Sequence, residues 1–251
     1  MGEAADLTRG LWPPEKTIGS HPSVTVALPQ IQAILDRHNV KVTYFVESWN
    51  LSVYPTVIAD GIAASGHEIG WHAYRHEAWN KLPDAKAEED NFKRSFAAMD
   101  AFTSPGGLGH GKSRSNAAIV STGEGMEPLV VLPFQWTTVD AYYYMESFSG
   151  LRKIKGKLPE GPQLEAVLIR EMIYEIDEAV ERGGYLSVLF HPFLTTSPER
   201  IRALETVIHY ISKKREEGKV WVGRCCDVQE RIKEAPDLAD TVPDYDRTVW
   251  R

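Results

Sequence analysis

Residues 165–191 read EAVLIREMIYEIDEAVERGGYLSVLFH, and the change of period inside this stretch decides the fold class. Val167, Leu168, Met172, Ile176 and Val180 recur at helical spacing and predict an amphipathic helix over Glu165–Arg182. Gly183-Gly184 ends it, because glycine accepts the left-handed backbone that closes a helix. Tyr185-Leu186-Ser187-Val188-Leu189-Phe190 then reads as a buried strand, with His191 at its C-terminal end.

The same alternation extends in both directions. Downstream, Glu199–Lys214 predicts a helix and Val220-Trp221-Val222 a strand. Upstream, Leu28, Ile31, Ile34 and Leu35 mark one helix, and Val57, Ile58, Ile62 and Ala63 mark another that stops at Gly66. Val40–Val46 and His67–His72 read as the strands that follow them. Phe92, Phe96 and Met99 place a helix over Lys86–Ala101, and Leu129–Phe134 reads as a strand. Helices alternating with short strands predict an α/β fold with a mainly parallel sheet, in which sites collect at the C-terminal strand ends.

The 251 residues suit one domain, with an irregular arm over 1–23 and a tail over 234–251. Hydrophobic residues at 43% and charged residues at 25% exclude a disordered chain, a collagen-like fibre and a coiled coil. A net charge of −7 argues against a nucleic-acid partner. No apolar run is long enough to cross a membrane. Met1-Gly2-Glu3-Ala4-Ala5-Asp6 has no leader character, so a cytoplasmic location is expected. Adjacent Cys225 and Cys226 fit a reducing compartment and read as small residues in or near a strand.

Two places carry chemistry. His72 and His76 lie four residues apart just past a predicted strand; on one helical turn both imidazoles reach a single ion, and the alternative is two surface histidines. His191-Pro192 ends an apolar strand, where histidine can protonate a leaving group or sit as a core-edge residue bonded to backbone.

Val42–Val46, Gly66-His67-Glu68-Ile69-Gly70-Trp71-His72-Ala73-Tyr74-Arg75-His76 and Phe190-His191-Pro192 together resemble the polysaccharide deacetylase (NodB-homology) superfamily. The resemblance is to the branch with peptidoglycan deacetylase-like proteins, cofactor-free allantoinases and cyclic imide hydrolases. It implies a distorted (β/α)7 barrel and hydrolysis of a non-peptide C–N bond, in an amino sugar or a small amide or imide. It implies a divalent metal, Zn²⁺, on His72 and His76, with His191 as the acid. The segment Leu132–Tyr144 resembles the branch's fourth motif, so that Asp140 either holds His191 in its active tautomer or caps a turn. Trp136 and Tyr142 either line a substrate pocket or pack in the core.

The sequence also departs from that pattern. The family's aspartate pair, one metal ligand and one base, has no counterpart before Gly2-Glu3-Ala4, so the barrel is expected to lack its first strand. Glu3 and Asp6 are the nearest carboxylates and read as a solvated terminus. Thr103 stands where the family has an arginine. An uncovered sheet edge would favour a homo-oligomer. Two alternatives to metal-dependent hydrolysis therefore stay open: an inactive binding or oligomeric scaffold, and a metal-independent, allantoinase-like hydrolase.

Overall fold

The computed structural model describes residues 2–78, 81–103, 130, 132–155 and 158–235. Its helices in chain order are α1 (Glu3–Thr8), α2 (Leu28–Arg37), α3 (Asn50–Val53), α4 (Ala85–Thr103), α5 (Asp140–Tyr144), α6 (Ser149–Lys155), α7 (Glu165–Arg182), α8 (Pro198–Glu216) and α9 (Cys225–Glu234). The strands are β1 (Thr43–Val46) and β2 (Glu68–Trp71). Wider π-helical turns at Ser23–Ala27 and Val57–Ala63 lead into α2 and towards β2.

The long helices form where the apolar stripes predict them. α7 buries Leu168, Met172 and Ile176 and closes on Gly183 at φ 69°. α8 starts at Ser197, whose hydroxyl accepts the Arg200 N–H at 3.3 Å, with Pro198 in the first turn. The two helices are clipped through Asp177, which accepts the Tyr210 hydroxyl at 2.7 and 2.8 Å and pairs with Lys214 at 2.6 Å. One core cluster runs from α5 through α7 to α8, centred on fully buried Tyr142, Leu168, Met172 and Val207. A second joins Ile31, Ile34 and Leu35 of α2 to Ile201, Leu204 and Ile208 of α8.

The expected (β/α)7 barrel is overturned. Among the described residues the fold is largely helical, and its one sheet is an open parallel pair, β1 with β2, in which Val46 lies opposite Trp71. Among the described residues Tyr185–Phe190 meets a neighbour only through the bridge between Val139 and Leu189, and Val220–Val222 joins no ladder. Leu132–Phe134 is not a strand, and Leu129 and Val131 lie outside the described residues. The physical reason is general. Alternation and β-branching report that a segment is extended and half-buried, but a strand also needs a partner for its N–H and C=O groups, and that partner is supplied elsewhere in the chain. Cys225 and Cys226 open α9 beside the sheet: their backbone N–H groups donate to Thr43 Oγ1 of β1 at 2.8 Å and to Glu68 Oε2 of β2 at 3.0 Å.

The first residues are also more ordered than their composition suggests. Glu3 in α1 is fully buried and accepts hydrogen bonds from the Gly19 N–H at 2.9 Å and from the Tyr54 hydroxyl. Asp6 pairs with His21 at 3.3 Å. These carboxylates are therefore not a solvated terminus; their donors come from 15 to 51 residues away, outside any local pattern. Where β1 and β2 touch, the Phe45 ring lies across Gly70 so closely that a Cβ there would stand 2.8 Å from it. The close approach requires glycine.

Buried His67 leads into β2, and its Nδ1 accepts the Val42 N–H at 3.2 Å. Burial, helped by the Lys41 charge, pulls its pKa down to about 4. The unfolded chain then binds the extra proton first, so stability is complete above the ordinary histidine pKa and falls as pH drops towards 4. We expect this group to account for about 3 kcal/mol of acid destabilisation, and His67→Phe to flatten that part of the curve. Denaturant melts of both proteins between pH 7 and pH 4 measure the difference.

Candidate active site

The β1–β2 register brings the first groups together. With Val46 opposite Trp71, the next residues, Glu47 and His72, leave the two strands side by side. Three backbone bonds clip the following loops to each other: His72 N–H to Val46 O at 3.0 Å, Ser48 N–H to Ala73 O at 3.0 Å and Trp49 N–H to Tyr74 O at 3.1 Å. The clip holds two non-glycine residues in the left-handed region, Ala73 at φ 60° and His76 at φ 62°. Each such residue costs roughly 1–2 kcal/mol and persists only where its surroundings impose it.

The loop sets the His72 and His76 rings edge to face, with centroids 4.9 Å apart. His72 shows an edge to solvent yet is crowded by the surrounding chain, and that desolvation pulls its pKa down to about 4. Glu47 opposes the shift, whereas His76 and His191 add to it. All four groups thus share one neighbourhood. Glu47 is buried and accepts the Asn50 Nδ2–H at 2.7 Å. Sequence reasoning passed over Glu47, although a carboxylate one residue beyond a parallel strand was a signal that could have found it.

The second part of the site comes from residues 51 apart. Asp140 N–H donates to Leu189 O at 3.1 Å and Leu189 N–H to Thr138 O at 2.9 Å. This short bridge carries Asp140, fully buried at the start of α5, against His191. One carboxylate oxygen takes the His191 backbone N–H at 2.8 Å and the other meets ring Nδ1 at 2.6 Å. An ionised carboxylate only accepts, so Nδ1 carries the proton and Nε2 is left for other partners. The His191 side chain remains 31% exposed while that of Asp140 is wholly enclosed, so the pair has a buried anchor and an accessible tip.

The remaining candidates fall elsewhere. Trp136 is half-buried and packs on Phe134 and Phe148, with ring centroids 5.4 and 4.8 Å away. Tyr142 is fully buried in the core, edge-on to Tyr143, and so presents no surface to a ligand. Thr103 ends α4, and Ser104–Gly107 lie outside the described residues.

A resident catalytic zinc usually takes three protein ligands and keeps one position open. His72 and His76 supply two adjacent imidazoles, but among the described residues no group of three His, Cys, Asp or Glu side chains could hold a metal ion. The donor set does not fit that group.

The polysaccharide deacetylase family model matches residues 19–106, the part that holds Glu47, His72 and His76. The fold also matches a putative polysaccharide deacetylase from Mycobacterium smegmatis at 25% identity and TM-score 0.65, over 88% of this chain and 82% of that one. Over residues 19–106 the chain is thus similar to the polysaccharide deacetylase superfamily. The fold is also shared with PuuE allantoinase (16% identity, TM-score 0.64, 87% of this chain and 75% of that one). It is shared as well with a probable polysaccharide deacetylase from Pseudomonas aeruginosa PAO1 (20% identity, TM-score 0.63, 87% of this chain and 76% of that one). No curated protein matches the chain. Among the described residues no helix is long and apolar enough to cross a membrane.

Asp140→Asn tests the anchor. The amide offers one acceptor where two N–H donors arrive, so either an N–H faces an N–H or the imidazole gives up its Nδ1 proton and takes the other tautomer. We expect a loss of about 1–3 kcal/mol in stability, read from urea midpoints at neutral pH.

Proposed function

We propose that this protein hydrolyses a non-peptide C–N bond, in an acylated amino sugar or a small amide or imide, with His191 as the proton donor to the departing nitrogen. The Asp140–His191 pair is the observation that carries this reading: a buried carboxylate holds His191 by two hydrogen bonds, one to its backbone N–H and one to ring Nδ1, and leaves Nε2 of the part-exposed ring outside the pair. As the imidazolium, His191 keeps one proton on Asp140 and offers the other at Nε2. Water adds to the carbonyl carbon, the C–N bond breaks, and the nitrogen leaves with the His191 proton. Glu47, His72 and His76 are the bases at hand for the proton released by the water.

The ligand set, incomplete among the described residues, favours the metal-independent form of this reaction over the zinc-dependent one. It equally motivates a second reading, a family member that binds or assembles without turnover.

The test is hydrolysis of acetylated glucosamine oligomers, allantoin and succinimide by the full chain, with and without a chelator. We expect turnover of one class to survive chelation and His191→Ala to lower kcat by about 10²–10⁴-fold. Turnover lost to the chelator and restored by zinc supports the metal-dependent form. No turnover on any substrate supports the binding reading.

A further inference from the structure

The pair that carries the proposed chemistry is assembled from two segments, α5 with Asp140 and the turn that follows His191. One side chain touches both. Arg200, in the first turn of α8, donates from Nη1 to the Leu194 carbonyl at 2.9 Å. Leu194 closes the turn after His191, since its N–H and the Thr195 hydroxyl both donate to the His191 carbonyl, at 2.9 and 3.0 Å. On its other side the guanidinium carbon lies 4.1 Å from the centroid of the Tyr144 ring, at the far end of α5 from Asp140. Glu165 at the start of α7 faces Arg200 Nε at 3.6 Å and adds charge compensation from a third element.

Backbone contacts alone do not fix this geometry. Between residues 138–140 and 189 the ladder is a single bridge, too short to define the angle between the segments. Beyond it, α5 has only five residues and the turn at Pro192–Leu194 only three. Arg200 is itself well anchored: its backbone N–H is taken by the Ser197 hydroxyl, and α8 is held by the core. A planar, permanently charged fork can hydrogen-bond a carbonyl along its edge while its face lies on an aromatic ring; lysine cannot do both.

We propose that Arg200 is a positioning residue for the Asp140–His191 pair, a clamp between Leu194 and Tyr144 that sets the imidazole against the carboxylate. The functional meaning of the clamp rests on the reading of His191 as the acid; its geometric role does not.

The test uses the full chain labelled with nitrogen-15 at histidine. Wild type should show a low-field, slowly exchanging His191 Nδ1 proton, assigned by its loss in Asp140→Asn. Arg200→Met removes the charge and donors but keeps the stem, and Arg200→Lys keeps the charge with minimal risk to folding. In both we expect that proton to exchange roughly tenfold faster, the scale on which removing an orienting partner is felt. Arg202→Met is the control: Arg202 lies on the same helix, exposed and paired with Glu199, and should leave the proton unchanged. An unchanged exchange rate in Arg200→Lys and in every folded Arg200→Met preparation overturns the clamp. On any substrate that wild type turns over, Arg200→Lys should lower kcat with KM held. Wild type inactive on every amide defeats the proposed reaction, and the exchange rates still decide the role of Arg200.

Discussion

The grip of Asp140 on His191 is the constraint on which the rest of the site depends. A wholly buried carboxylate is costly unless its oxygens are occupied, and here both oxygens are used by one residue, through a ring N–H and a backbone N–H. That arrangement requires α5 to begin where it does and Leu189 to run beside Val139. It also requires the chain to turn immediately after His191, which Pro192 and the bonds to the His191 carbonyl bring about. The surrounding helices α7 and α8 supply the bulk that keeps the carboxylate dry.

The other half of the site is made differently. Glu47 and His72 are neighbours because two short parallel strands end at the same register, and His76 is aimed back at His72 by two left-handed residues. The result concentrates three imidazoles and a carboxylate in one neighbourhood. It stops short of a three-ligand metal centre among the described residues.

Much of this was legible in the sequence wherever a single segment decides the outcome. The stripe from Val167 to Val180 and the glycine after it specify α7 to the residue, and the run around Thr43–Val46 specifies β1. The pairing of Asp140 with His191 was legible only through the family likeness of two separated motifs. What escaped was set by partners distant in sequence. Tyr185–Phe190 has the composition of a strand but, among the described residues, only one bridging neighbour, and there the closed barrel inferred from such segments does not form. Glu3 reads as a solvated end residue, but Tyr54 and Gly19 bury it. Tyr142 reads equally as a pocket wall or as core packing, because periodicity over a five-residue helix cannot choose between its faces; it lies in the core.

The 51-residue separation of Asp140 and His191 bears on how the molecule acquires its site. The β1–β2 clip closes over about 25 residues and can form early, while the carboxylate–imidazole contact must wait for α7 to be laid down between its two halves. During synthesis the histidine loop that follows β2 therefore precedes its acid partner. A ribosome-bound chain would show a formed His72 loop well before the Asp140–His191 pair existed.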